Sequence, residues 1–211
     1  METIHEGDIY QGFPLGEWPL DLQGWGFESP IFEAVIKNIR PKLIIEVGSW
    51  KGASALQMAK FLKQEGIKGE IICVDSWLGT ADTWWHRDDI SFGRARQFGR
   101  PTVYHQFIAN VIHTENTDVI IPLPSDSLSA AQFLKAKGVQ ADMIYIDAGH
   151  DYTHCLQDIK AYWGALRLGG VMIGDDYSLA WPGVVRAVHE FAESTGRIVG
   201  TNFPSKWVMV K

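Results

Sequence analysis

Cysteine, excess positive charge and long apolar runs are all scarce in this chain, and each shortage argues against a class of protein. The 211 residues hold two cysteines, Cys73 in an apolar strand-like run and Cys155 in a helical pattern. A disulfide framework is therefore not expected, and both read as buried thiols. Lysine and arginine number 19 against 25 acidic residues, a net charge of -6. The basic residues are scattered, so no electrostatic footprint for nucleic acid or an anionic membrane is present. No apolar run approaches the ~20 residues of a membrane span, and Met1-Glu2-Thr3-Ile4-His5-Glu6 lacks the apolar centre of a signal peptide. The expectation is a cytoplasmic protein with no nucleic-acid or membrane partner. Repeats and low-complexity tracts are missing too, and the length fits one domain over residues 1–211. Tryptophan, by contrast, is plentiful: nine are present, several in loop-like segments, where they either line a ligand site or pack beneath long loops.

The most informative stretch runs from Leu43 to Ser54. Leu43-Ile44-Ile45-Glu46-Val47 reads as a buried strand, Gly48 as a tight turn, and Gly52 as the opening of a helix over 52–65. Open α/β sheets bind ligands at such strand ends. A dinucleotide turn would require glycine two residues after Gly48, where the pyrophosphate meets the backbone, but this chain has Trp50. An acid followed by a wide Gly-x-x-x-Gly turn suits a cationic nucleoside without phosphate, which describes S-adenosylmethionine. A generic βα turn, or nicotinamide or flavin binding, stays open at this point.

Before this stretch, residues 1–29 carry Gly and Pro between Trp18 and Trp25 and predict an irregular arm lying on the domain. Ser29-Pro30 opens a helix with Phe32, Val35, Ile36 and Ile39 at helical spacing, ending at Arg40-Pro41. After it, Glu70 to Val74 forms a second strand ending on Asp75. Residues 77–118 make a long insertion containing Trp84, Trp85 and His86, with a helix from Thr102 to Ile112. Connections of this length are uncommon unless functional. The insertion is a candidate lid or substrate loop, with a subunit interface in a homo-oligomer as the alternative. A third strand, Val119 to Leu123, precedes Ser125-Asp126 and a helix to Lys137.

Two further strands carry most of the acidic chemistry. Asp142 to Ile146 runs into Asp147-Ala148-Gly149-His150, a helix follows to Leu168, and Gly169 to Gly174 runs into Asp175-Asp176-Tyr177. A βαβ unit of this length brings both strand ends to one edge, with neighbouring strands ~5 Å apart. Three carboxylates there require something positive among them, and Mg²⁺ or another divalent cation held by oxygen ligands answers that. Helix caps and solvated strand ends remain the alternative.

With these residues in view, the chain resembles class I S-adenosylmethionine-dependent O-methyltransferases, in particular the metal-dependent macrocin and mycinamicin group. The resemblance covers roughly residues 41–211, and Ile146 to Tyr152 with Gly169 to Tyr177 is its most specific part. It implies an α/β Rossmann-like three-layer sandwich with a seven-stranded, mostly parallel sheet whose last strand is antiparallel. It implies cofactor contacts by Glu46, Gly48, Ser49, Gly52 and Ser54 at the first turn and by Asp75 and Ser76 at the ribose. Ser125 and Asp126 would lie at the adenine, with Asp147 nearby, and Asp147, Asp175 and Asp176 would be the metal ligands. The strand after the last helix is expected at Ile198-Val199-Gly200, with a final one at Lys206 to Val210.

The implied reaction is methyl transfer to a hydroxyl of a small molecule: a sugar, polyketide or phenol. His150, three residues past Asp147, titrates near neutrality and is the candidate base; a turn-holding hydrogen bond is its plainer role. Tyr152 and Tyr177 read as packing residues. Two rivals keep the fold and change the function: a cephalosporin-hydroxylase-like iron-dependent oxygenase, and a cofactor-binding protein without turnover.

Overall fold

The computed structural model describes residues 4–79 and 96–211. Among the described residues six strands form one sheet: β1 (Leu43–Val47), β2 (Glu70–Asp75), β5 (Ile120–Pro124), β6 (Ala141–Ile146), β7 (Leu166–Gly174) and β8 (Trp207–Val210). Their order is β5-β2-β1-β6-β7-β8, all parallel except β8, which runs antiparallel to β7. A small hairpin, β3 (Arg96–Gln97) and β4 (Arg100–Pro101), stands apart. The chain leaves β1 toward β2 on one side and later returns to β6 on the other. The gap between the carboxyl ends of β1 and β6 is therefore the topological switch point, where sheets of this kind hold ligands.

Alternation along the strands explains the three layers. Ile44, Ile71, Cys73, Met143, Tyr145 and Ile173 face α1 (Pro30–Ile39), α2 (Ala53–Gln64) and α3 (Val103–His113). Ile45, Val47, Ile72, Val74, Ile144, Ile146 and Met172 face α4 (Ser127–Ala136), α5 (Tyr152–Trp163) and α6 (Pro182–Thr195). Each fully buried Ile or Val contributes about 1.5–3 kcal/mol, so both faces of the sheet are strongly specified. Cys73 and Cys155 are buried free thiols. Among the described residues no helix is long and apolar enough to cross a membrane.

The Rossmann-like sandwich thus agrees with the sequence reading, with three local differences. The sheet has six strands because the expected strand at 198–200 reduces to a single antiparallel bridge, Gly200 to Val208, and Ile198 is 88% exposed, with no apolar face to hold it. Helix α5 stops at Trp163, and β7 begins at Leu166, opposite Ala141 across a register shift. Ser29 stands at the N-terminus of α1 without making a side-chain cap. Of the 77–118 insertion, Trp84, Trp85 and His86 lie outside the described residues.

The N-terminal arm lies on the domain, as its composition suggests. His5 Nε2 donates to Pro122 O at 2.6 Å and Tyr10 Oη to Ile120 O at 2.8 Å. Asn110 of α3 donates to Asp21 O at 2.6 Å and to Lys51 O at 2.8 Å, and Lys51 pairs with Asp21 at 2.7 Å. One buried amide thereby ties the arm to the turn after β1.

Candidate active site

On the β1–β2 side, backbone geometry fixes the site. Gly48 has φ +87°, and a Cβ there would lie 1.9 Å from the Asp147 carbonyl oxygen, so only glycine lets the β1 and β6 ends approach this closely. Its amide donates to Val74 O at 2.8 Å, and Asp147 N donates to Val47 O at 2.7 Å, stitching three strand ends together. Trp50 sits at φ +48°, an uncommon conformation for an indole residue. Asp75 holds it there: Oδ2 accepts from Ser49 N at 3.0 Å and Trp50 N at 2.9 Å, and Oδ1 from Trp77 N at 2.7 Å. Burial raises its pKa against those backbone bonds.

Glu46 is wholly buried on the α2 face of the sheet. Burial pushes its pKa up to about 7, against the pull of the nearby Ser49 and Ser54 hydroxyls. Of those two, Ser54 Oγ donates to Glu46 Oε1 at 2.5 Å, whereas Glu46 Oε2 and Ser49 Oγ are buried without a hydrogen-bond partner. Buried polar atoms normally find partners, so this pair could take a polar ligand group. Gly52, at φ +89°, opens α2, and a Cβ there would meet the Phe107 ring at 3.0 Å. Ser76 Oγ accepts from Leu78 N at 3.2 Å. Ser125 N donates to Asp75 O at 3.0 Å, which brings the β5 end beside β2. Asp126 is exposed and caps α4 through Ser129 N at 2.9 Å, the cause of its lowered pKa.

On the β6–β7 side, side-chain charges do the holding. His150 Nε2 lies 3.0 Å from Asp176 Oδ2 and 3.8 Å from Asp147 Oδ1. Burial alone would lower its pKa, but the Asp147 and Asp176 carboxylates override that and raise it to about 10. The imidazole is therefore a cation at neutral pH. Burial raises the pKa of Asp147, against the pull of His150. Trp181, at the start of α6, packs edge-on against His150 with ring centroids 4.7 Å apart. Asp176 adopts φ +58°, a strained position of the kind that gathers at working sites.

Asp147, His150 and Asp176 each offer a ligand atom, all within 4.8 Å of one another. Two carboxylates and an imidazole form a donor set that fits a divalent cation, once the imidazole is neutral. The structure does not bring Asp175 into this group. Its Oδ2 accepts from Lys206 Nζ and, at 2.9 Å, from Tyr145 Oη, while its Oδ1 accepts from Asp176 N at 2.8 Å. Tyr145 Oη also reaches Asp147 Oδ2 at 3.1 Å. Lys206, Tyr145 and Trp181 are the site residues that the motifs did not reveal. Lys206 precedes β8, and the pairing of Gly174 with Trp207 sets it beside Asp175; that register was the only signal. Tyr152 and Tyr177 point elsewhere, to Glu190 at 2.5 Å and His189 at 2.7 Å.

Comparison with known proteins agrees with this fold. A family model described as a methyltransferase domain matches residues 45–177. No curated protein matches the chain. TomG of Streptomyces achromogenes, an O-methyltransferase of tomaymycin synthesis solved with S-adenosylmethionine, superposes with a TM-score of 0.61 at 16% identity, over 90% of this chain and 82% of its own. An O-methyltransferase from Bacillus cereus solved with S-adenosylhomocysteine gives 0.57 at 16% identity, over 93% and 86%. CalS11, a TDP-rhamnose 3'-O-methyltransferase of calicheamicin biosynthesis, gives 0.61 at 15% identity, over 85% and 77%. At these identities the likeness is one of fold. The family match covers more than half of the sequence, and the chain belongs to the methyltransferase-domain family.

Proposed function

We propose that this member of the methyltransferase-domain family is an S-adenosylmethionine-dependent O-methyltransferase. Its acceptor is a hydroxyl of a small molecule (sugar, polyketide or phenol), and it uses a divalent cation, Mg²⁺ or another. The observation that carries the reading is the division of the switch-point crevice into two unlike halves. One half offers the Asp75 carboxylate at the end of β2 and the unpartnered Glu46 Oε2 and Ser49 Oγ. These acceptors suit the ribose hydroxyls and the amino group of a cationic nucleoside and repel a pyrophosphate. The other half holds the proton-bearing and cation-binding groups. That fold neighbours were solved with this donor or its product supports the choice of ligand. Ser125 and Asp126 sit beyond the β2 end, where adenine contacts are proposed; Asp126 Oδ1 is committed to its cap, which leaves Oδ2 for the amine.

The chemistry follows from what these residues can hold. Methyl transfer is an in-line displacement, so the acceptor oxygen must be oriented toward the sulfonium methyl and lose its proton. Asp147 and Asp176 would bind the cation, which when present supplies Lewis acidity to the acceptor hydroxyl and offsets the carboxylate charge. His150 can accept the acceptor's proton only when it is neutral and not itself bound to the cation. As long as both carboxylates face it unrelieved, it stays protonated and serves instead to balance them. Trp181 packs against one side of the imidazole. The proposed setting is the cytoplasm, which suits two buried free thiols, with residues 1–211 acting as one domain.

The test is an incubation with S-adenosylmethionine and a panel of sugars and phenols, with and without Mg²⁺. The expected result is S-adenosylhomocysteine together with an acceptor heavier by one methylene. The imidazole in the cluster favours one rival, the iron-dependent oxygenase, which would instead yield an acceptor heavier by one oxygen with the donor unconsumed. Donor binding without any product would mark a non-catalytic protein.

A further inference from the structure

The three carboxylates at the β6–β7 edge are served by two different cations. Asp147 and Asp176 face His150. Asp175 faces Lys206, whose side chain is 2% exposed. The Lys206 ammonium lies 5.9 Å from the Phe32 ring centre and 5.5 Å from that of Tyr145, and 3.3 Å from Tyr145 Oη. The N-terminal arm closes over the pair: a Cβ on Gly26 would lie 2.8 Å from Asp175 Oδ2 and 2.9 Å from Lys206 Nζ. An ammonium enclosed by aromatic rings and backbone, with one carboxylate for a partner, is not free to give that partner up, because the charge left behind would be buried and unpaired.

We propose that Lys206 is a positioning residue that withdraws Asp175 from the cation site, limiting the site's ligands to the Asp147 and Asp176 carboxylates and the His150 imidazole. The inference rests on the reading that this edge holds a divalent cation, and it names which ion the edge should prefer. Imidazole suits first-row transition ions, whereas Mg²⁺ favours oxygen. The site should therefore take Mn²⁺ or Co²⁺ more tightly than Mg²⁺. Tyr145, whose hydroxyl touches Asp147, Asp175 and Lys206, carries the constraint across to the ligand side.

Calorimetric titration of the full chain with MnCl₂ and with MgCl₂, without donor or acceptor, tests this. Asp175→Asn should leave Mn²⁺ affinity within about twofold of wild type, while Asp147→Asn and Asp176→Asn should each weaken it ~10-fold or more. Lys206→Met should free Asp175 as a third oxygen ligand and tighten Mg²⁺ ~10-fold, a gain lost again in Lys206→Met/Asp175→Asn. Asp175→Asn weakening Mn²⁺ as much as Asp176→Asn does would overturn the proposal, and that arm decides alone if Lys206→Met does not fold. A wild type that binds neither ion beside a Lys206→Met that binds Mg²⁺ would support the role of Lys206 while removing the cation from the native reaction. Absence of binding in both would overturn both.

Discussion

The two halves of the switch-point crevice hold their carboxylates by opposite means. On the β1–β2 side Asp75 is fixed by three backbone amides and Glu46 by one serine hydroxyl, all within a single strand-turn-helix or its neighbouring strand. On the β6–β7 side Asp147 and Asp176 are balanced by His150, and Asp175 by Lys206, a residue 31 positions away on the far side of α6. Backbone donors create a rigid mould for a ligand whose shape does not change. Side-chain cations create an arrangement that protons or a metal ion can rebalance. The first half is suited to binding and the second to chemistry.

Breaking the seam between the halves should have the largest effect. Gly48→Ala places a Cβ 1.9 Å from Asp147 O at a residue with φ +87°, and should destabilise the fold by more than about 4 kcal/mol. A denaturant midpoint equal to wild type would show that the two strand ends are not locked together. Next comes the buried ion pair. Lys206→Met strands Asp175 and should remove about 3–5 kcal/mol, most of it regained in Lys206→Met/Asp175→Leu, where apolar groups fill the space. If the double variant is no more stable than the single one, the loss is one of packing and not of charge.

The pH response separates the halves without mutation. The folded pKa of Glu46 is raised from 4.5 to about 7, so its contribution to stability is fully present below 4.5 and is lost as pH rises through 7. The shift corresponds to about 3 kcal/mol as an order of magnitude. His150 is raised from 6.5 to about 10, so its contribution is present below 6.5 and is lost as pH rises through 10. Stability should therefore fall in two successive windows as pH increases. Glu46→Gln should shrink the lower window, to which Asp158, raised by burial to about 6, also contributes, and His150→Gln should flatten the upper one. Urea midpoints that fall unchanged through the lower window in Glu46→Gln would remove Glu46 as its cause.

The contrast also explains what the sequence could and could not tell. The strand ends, Gly48 and the acids Glu46, Asp75, Asp147 and Asp176 were legible because each sits where an apolar run meets a turn, and period and punctuation are local signals. Lys206 was not legible, because its place depends on the register of β8 against β7. That register is set by the fit of Trp207 over Gly174, where a Cβ would lie 2.2 Å from the indole. For the same reason Asp175 read as a partner of Asp176, its neighbour in sequence, when its charge is answered elsewhere. Tyr145 is a buried residue on the α2 face of β6, and nothing local in the sequence marks that its hydroxyl joins the acidic groups. The start of β7 was hidden because Leu166-Arg167-Leu168 continues the helical pattern of α5, while pairing with Ala141 is a non-local fact.

The most direct test of the division is the affinity for S-adenosylmethionine, measured by calorimetry in wild type, Asp75→Ala and Asp176→Asn. Removing the Asp75 carboxylate should cost about 1.5–3 kcal/mol of binding, the worth of a charge-assisted hydrogen bond. Asp176→Asn should bind within about twofold of wild type, because its charge belongs to the other half. Wild-type affinity in Asp75→Ala, or an equal loss in both variants, would contradict a crevice in which one half binds the donor and the other prepares the acceptor.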